Sequence, residues 1–277
     1  MRIIETIAEM REARRKLQGL VGFVPTMGYL HEGHLALVRR AKTENDHVVV
    51  SLFVNPTQFG PQEDFRRYPR DIPRDLNLLK GGGADLVFLP SVEEMYLAGF
   101  STYVEEERLA KRLEGDSRPT HFRGVTTGVA KLFNIIEPSK AYFGQKDAQQ
   151  VRVVEKMVED LNIKVAIVVV PTVREADGLA MSSRNAYLNT EERRAATILW
   201  KSLCLAEELW AEGERGADRV REEMTKLIES EPLASIDYVS IADARSLEEL
   251  KEIQPPALVS LAVKVGAVRL IDNVTLS

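Results

Sequence analysis

Cysteine is nearly missing from this chain. Cys204 is the only one in 277 residues, which excludes an intramolecular disulfide and a thiolate metal cluster and fits a reducing compartment. Histidine is scarce too, with four in all. No run approaches the ~18–20 uninterrupted apolar residues of a membrane span. The opening Met1-Arg2-Ile3-Ile4-Glu5-Thr6 is acidic where a signal peptide would carry its apolar core, so the expected location is cytoplasmic, with no membrane partner. An excess of positive charge is also lacking. Lys and Arg number 37 against 42 Asp and Glu, a formal net charge of −5, which disfavours non-specific nucleic-acid binding through counterion release. The sequence contains no internal repeat and no low-complexity segment.

What is present is ordinary globular composition, 44% hydrophobic and 29% charged, which rules out wholesale disorder. A chain of this length buries about three quarters of its unfolded surface and needs no staple. Short apolar runs alternate with helical patterns. Leu20–Val24, His47–Val54, Asp85–Leu89, Ala141–Phe143 and Lys164–Val170 read as strands, the last apolar enough to be buried on both faces. Leu35–Lys42, Asp71–Lys80, Gly124–Ile136 and Asp147–Leu161 read as helices, with Gly81-Gly82-Gly83 ending the second. This α/β alternation predicts a parallel sheet covered by helices. After Pro171 the texture changes to a polar stretch over Arg174–Asn189 and helix over Glu191–Glu229, broken near Gly213 and Gly216. Short strands follow over Ile236–Ile241 and Leu258–Ile271. The expected division is a domain over 1–178 and a smaller α+β domain over 179–277.

The segment Val24-Pro25-Thr26-Met27-Gly28-Tyr29-Leu30-His31-Glu32-Gly33-His34 leaves a strand and enters a helix. Ligands of open α/β sheets sit at the carboxyl ends of strands, with phosphates over helix N-termini. A spacing of three places His31 and His34 on one helical face, and Gly33 between them leaves room for a close backbone approach. Donors so placed would stabilise charge in phosphoryl-group transfer. Two such histidines are equally the mark of a solvated helix face. A zinc site needs three or four ligands, and only His47 and His121 remain to supply imidazoles.

Two further segments offer charge. Met181-Ser182-Ser183-Arg184-Asn185 places hydroxyls beside a guanidinium suited to phosphate, though such a loop also serves as a plain turn or helix cap. Tyr142-Phe143-Gly144-Gln145-Lys146-Asp147 puts Lys146 at a helix N-terminus, where a cation is unfavourable unless an anion is held there too. The alternative is a lysine snorkelling to solvent. Gln58, after the second strand, and Gln150, a turn beyond Lys146, are amides able to fix a small hydroxy acid. Each is equally at home in a turn or on a solvated helix.

Taken in order, Pro-Thr-Met-Gly with His-Glu-Gly-His, Phe-Val-Asn-Pro-Thr-Gln-Phe-Gly, Tyr68-Pro69-Arg70, His121-Phe122-Arg123-Gly124-Val125, Phe-Gly-Gln-Lys-Asp and Met-Ser-Ser-Arg-Asn closely resemble the pantoate–β-alanine ligase family. The likeness runs to about residue 190; beyond it the chain agrees in length more than in motif. The first and last motifs look like versions of the His-x-Gly-His and Lys-Met-Ser-Lys-Ser signatures of class I adenylate-forming enzymes.

The resemblance implies a Rossmann-like sheet with helices on both faces, a C-terminal lid domain, a homodimer, and ATP with Mg²⁺. It implies condensation of pantoate with β-alanine through pantoyl adenylate, releasing pyrophosphate and AMP. By the same resemblance Met27, Gly28, Tyr29, Leu30, His31, Glu32, Gly33 and His34 line the nucleotide site, with His34 the proton donor. Gln58 and Gln150 bind pantoate, and Gln58 also lies toward β-alanine. Gly144, Gln145, Lys146 and Asp147 meet ribose and phosphate, with Lys146 on the transferring phosphate. Val173 meets adenine, and Met181, Ser182, Ser183 and Arg184 form a phosphate loop. Arg118 matches a substrate or dimer contact. Gln145 departs from the Glu common in the family. Asp75 is an acidic residue near Tyr68-Pro69-Arg70, but the metal ligands stay unassigned. The rival readings are another adenylyl-transferring enzyme with a phosphorylated acceptor and a nucleotide sensor without turnover. A tRNA synthetase would need an anticodon-reading domain for which little chain is left.

Overall fold

The computed structural model describes residues 1–61 and 63–277. Internal contacts divide them into two units, residues 1–145 with 149–171, and residues 146–148 with 172–277.

The first unit runs β1 (Arg2–Ile4), α1 (Ile7–Lys16), β2 (Val21–Thr26), α2 (Glu32–Glu44), β3 (His47–Leu52), α3 (Ile72–Gly82) and β4 (Leu86–Phe88). Two one-turn helices, α4 (Val92–Met95) and α5 (Glu114–Ser117), precede α6 (His121–Ile136), β5 (Lys140–Gly144), α7 (Ala148–Asp160) and β6 (Ala166–Val170). The strands form one parallel sheet in the order β1-β4-β3-β2-β5-β6. From β2 the chain steps to β3 and β4 on one side, then returns to place β5 on the other. The order therefore reverses between β2 and β5, where open α/β sheets build their ligand crevice.

Alternation along β2 and β3 fills both faces. Phe23 and Val49 join Met10 of α1, Val125 and Phe133 of α6, and Val154 of α7 in one core. Val24, Val48 and Val50 join Leu37, Val38 and Ala41 of α2 and Leu79 of α3 in the other. Each buried Val, Leu, Phe or Met among them contributes roughly 1.5–3 kcal/mol of transfer free energy. Local signals set the helix ends. Asp71 caps α3 by accepting from the Arg74 amide at 3.1 Å, and Gly83, at φ +86°, ends it. Of the expected glycine stop, only Gly83 acts as one, since Gly81 and Gly82 are still helical.

The second unit contains α8 (Thr190–Ala195), α9 (Ile198–Ala211), α10 (Ala217–Glu229), β7 (Ala234–Asp243), β8 (Ala257–Val265) and β9 (Val268–Leu276). Its strands make an antiparallel sheet, β7-β8-β9. Leu199 and Leu203 of α9 and Val220 and Met224 of α10 pack with Val259, Leu261 and Val263 of β8. The apolar run read over Leu258–Ile271 is a hairpin whose turn includes Gly266 at φ +56°. Among the described residues no helix is long and apolar enough to cross a membrane.

Candidate active site

After Thr26 the backbone turns through two successive left-handed residues, Gly28 at φ +84° and Tyr29 at φ +50°. Thr26 Oγ1 steadies the entry, donating to the Ser51 carbonyl at 2.7 Å and accepting from the Gly28 amide at 3.2 Å. Both oxygens of the buried Asp75 accept backbone amides, Oδ2 from Tyr29 and Oδ1 from Leu30, each at 2.7 Å. Burial pushes the Asp75 carboxyl above its ordinary pKa, against the two amides, which favour the ionised form.

The turn delivers His31 to the N-cap of α2 and His34 to its first turn, with the rings 4.1 Å apart. His31 Nδ1 accepts from the Gly33 amide at 3.2 Å, and His34 Nδ1 accepts from the His31 amide at 3.3 Å. A neutral imidazole whose Nδ1 accepts carries its proton on Nε2, so both rings present N–H donors on their far edge. The two rings do lie together, but through reciprocal capping rather than helical spacing, since His31 is extended at φ −136° and stands outside the helix.

A second wall of the first unit holds Gln58. Asn55 caps the short 3₁₀ turn Pro56–Gln58, its Oδ1 accepting from the Thr57 amide at 3.2 Å and from Tyr96 Oη at 2.8 Å. Asn55 Nδ2 donates to the Gly124 carbonyl at 2.9 Å. Gly124 and Gly128, four apart on α6, form the bare face on which this turn lies. A Cβ on Gly124 would stand 2.2 Å from the Thr57 oxygen, and one on Gly128 2.5 Å from Asn55 Nδ2. The Gln58 carbonyl accepts from His121 Nδ1 at 2.8 Å, which fixes the proton on Nδ1, and from Arg118 Nη2 at 3.4 Å. Burial, helped by the Arg118 cation, pushes the His121 imidazole down to about 4, so the ring is neutral near pH 7. Arg118 forks onto Glu63 at 2.7 and 2.8 Å. Burial works to raise Glu63, but the paired guanidinium holds its carboxyl below the usual range. Gln58 Nε2 donates to the Met27 sulfur, joining the two walls.

A pocket of about 230 Å³ opens at the carboxyl ends of β2, β3 and β4. Met27, Gly28, Tyr29, Phe53, Leu89 and Arg70 are among its lining groups. Gly144 ends β5 opposite Val170 of β6, and half-buried Gln150 lies in the first turn of α7. Gln149, its neighbour, is buried and structural, donating to the Leu109 and Arg112 carbonyls and accepting from the Glu114 amide.

Gln145 ends the first stretch of the first unit, and Lys146, Asp147, Val173 and Met181 to Arg184 belong to the second. Lys146 sits in the 3₁₀ turn Gln145–Asp147 directly before α7. Its ammonium lies 3.7 Å from Asp147, and its carbonyl accepts from Asn273 Nδ2 at 2.9 Å. The Val173 carbonyl accepts from the Met181 amide at 3.0 Å, next to the Arg174–Ala180 bridge. Ser182 caps the 3₁₀ turn Ser183–Tyr187 by accepting from the Arg184 amide at 3.2 Å, and Ser183 is buried. Beneath this loop Arg174 forks onto buried Asp272 at 2.6 and 3.0 Å and stacks on Trp200 at 3.8 Å. Sequence reasoning missed Asn55, Gly128, Gln149 and Asp272. A glycine pair inside a helix was the one signal that could have exposed the Gln58 turn's seat. Among the described residues no group of three or more His, Cys, Asp or Glu side chains is placed to hold a metal ion.

Three comparisons bear on this geometry. The chain is 60% identical over 276 residues to pantothenate synthetase from Roseiflexus sp. (strain RS-1), covering 100% of this chain and 99% of that one. It superposes with a TM-score of 0.95 on crystalline pantothenate synthetase from Thermus thermophilus, at 48% identity and 99% coverage of both chains. Pantoate–β-alanine ligase from Francisella tularensis, crystallised with beta-gamma ATP and β-alanine, gives a TM-score of 0.83 at 34% identity, covering 99% of this chain and 97% of that one. The pantoate–β-alanine ligase family model matches residues 2–275, and the chain belongs to that family.

Proposed function

We propose that the turn from Met27 to His34 is the nucleotide site of an amide-forming ligase, and that Gln58 and Gln150 hold its hydroxy acid. As a member of this family the enzyme condenses pantoate with β-alanine, converting ATP to AMP and pyrophosphate. A pantoate carboxylate oxygen attacks the α-phosphorus of ATP, and the bond to pyrophosphate breaks. The β-alanine nitrogen then attacks the acyl carbon of pantoyl adenylate, the bond to AMP breaks, and the amine releases a proton.

The first step brings a carboxylate against a triphosphate, which requires concentrated donors in a chain of net charge −5. The paired imidazoles of His31 and His34 at the head of α2, 4.1 Å apart and tilted by 44°, are the observation that carries the assignment. Their Nε2–H groups, with the helix N-terminus, suit phosphate oxygens, and His34 serves as proton donor to the leaving pyrophosphate. Gly28, Tyr29, Leu30, Glu32 and Gly33 complete the nucleotide turn. Lys146 neutralises the transferring phosphate, Gly144, Gln145 and Asp147 meet ribose and phosphate, and Val173 meets adenine. Met181, Ser182, Ser183 and Arg184 bind phosphate, a loop that helps to keep water from the anhydride. Gln58 fits an acid-binding role because its backbone is clamped while its side chain reaches the Met27 sulfur.

Magnesium is the expected companion of the triphosphate. Asp75, the acidic residue noted near the Tyr68-Pro69-Arg70 motif, has both oxygens taken by backbone amides and does not fit as a ligand. The same reading places the enzyme in the cytoplasm as a homodimer, for which light scattering should give twice the 31.1 kDa chain mass.

Pyrophosphate exchange into ATP tests the assignment. Exchange should require pantoate and no β-alanine, and AMP formation should require both acids. Turnover with pantoate omitted would overturn it.

A further inference from the structure

We propose that Asp75 is the positioning residue of the nucleotide turn, fixing the Tyr29 and Leu30 amides and thereby the seat of His31 and His34. The inference rests on the assignment of that turn to the nucleotide. Asp75 stands in the first turn of α3, where the helix N-terminus favours a negative charge. Its side chain is fully buried, and its two oxygens accept from two consecutive backbone amides at 2.7 Å. Those amides belong to the most strained part of the loop. Gly28 and Tyr29 are left-handed in succession, a conformation a tyrosine keeps only where its surroundings impose it.

The fit is close, since a Cβ on Gly28 would stand 3.1 Å from Asp75 Oδ2. Arg74 adds a second hold, its guanidinium lying 5.2 Å over the Tyr29 ring and 3.8 Å from Asp75 Oδ1. The next amide along the chain, that of His31, already donates to His34 Nδ1. Three consecutive N–H groups thus lead from a carboxylate on α3 to the histidine pair on α2. A metal ligand would direct an oxygen toward the phosphates, whereas both Asp75 oxygens point at backbone.

Asp75→Asn tests this, because an amide must turn an N–H₂ toward one of two N–H donors. Pantoate-dependent exchange should fall about 10²-fold, the scale of an ångström's misplacement of catalytic groups, while KM for β-alanine stays unchanged. Full activity, or recovery of the lost rate at raised Mg²⁺, would overturn the proposal, the latter making Asp75 a metal ligand. Amide hydrogen exchange supplies a readout without substrate. The Tyr29 and Leu30 amides should exchange slowly in the wild-type protein and rapidly in the variant. Fast exchange in the wild type refutes the brace even if Asp75→Asn fails to fold. A fully active His34→Ala would instead refute the nucleotide assignment and leave the exchange result standing.

Discussion

Gly124→Ala isolates the seat of the Gln58 turn. In an open helix this change stabilises by up to about 1 kcal/mol, because glycine has more backbone freedom to lose. Here the added carbon would stand 2.2 Å from the Thr57 oxygen, 2.4 Å from its carbonyl carbon and 2.5 Å from the Gln58 amide nitrogen. These are backbone atoms held by Asn55 and His121, so no flexible side chain can yield. Overpacking of this kind costs typically about 1–3 kcal/mol, and contacts this short belong at the upper end. The steric cost wins over the helix gain, leaving a net loss of about 2 kcal/mol. At about 2–4 °C per kcal/mol for a larger domain, Tm should fall by roughly 4–8 °C. Displacing Gln58 should also raise KM for pantoate by about fivefold, the equivalent of one neutral hydrogen bond. Gly81→Ala is the control. Gly81 lies within α3 with nothing inside 4 Å of its would-be Cβ, so it should stabilise by about 0.5–1 kcal/mol. Differential scanning fluorimetry and initial rates against pantoate decide the matter. A Gly124→Ala enzyme that matches Gly81→Ala in Tm and keeps the wild-type KM would mean that Gly124 is not the seat of the Gln58 turn.

Three further outcomes are expected. His34→Ala and Lys146→Ala should each lower the single-turnover rate of adenylate formation by roughly 10²–10³; wild-type rates in folded variants would remove those residues from the chemistry. His121, held near 4 against an ordinary 6.5, is protonated first in the unfolded chain. Its contribution of up to about 3 kcal/mol is therefore complete above pH 6.5 and lost as pH falls toward 4. Urea unfolding of His121→Gln should lack this part of the slope, and curves parallel to wild type over pH 4–6.5 would contradict it. Asp272→Ala leaves the part-buried Arg174 guanidinium without its buried carboxylate and should cost about 3 kcal/mol, the lower end for breaking a buried pair, whereas a loss below about 1 kcal/mol would show a pair acting as if at the surface.

What the sequence disclosed depends on how local each signal is. The valine run of β3 and the glycines at the end of α3 announce themselves within a few residues. By contrast β1 is three residues long, with Arg2 and Ile3 exposed, and exists only by pairing with β4 more than eighty residues on. In α1 only Met10 and Ala13 are buried, too thin a stripe among its arginines and glutamates to register as a helix. At the site, His31 and His34 stood out because a strand, a glycine turn and a helix start surround them. Asp75 read only as an acidic residue near a motif, since sequence does not display the backbone N–H groups that occupy it. His121 and Gly124 belonged to a recognisable motif, but their work on the Gln58 turn depends on a contact across more than sixty residues. Likewise, the Asn273 side chain that holds the Lys146 carbonyl lies 127 residues away.

The most direct measurement is a crystal structure with a non-hydrolysable ATP analogue and pantoate bound. Triphosphate oxygens should lie within hydrogen-bond distance of the His31 and His34 Nε2 atoms, with pantoate held by Gln58 and Gln150. A triphosphate seated away from the head of α2, with those imidazoles facing only solvent, would contradict the nucleotide assignment.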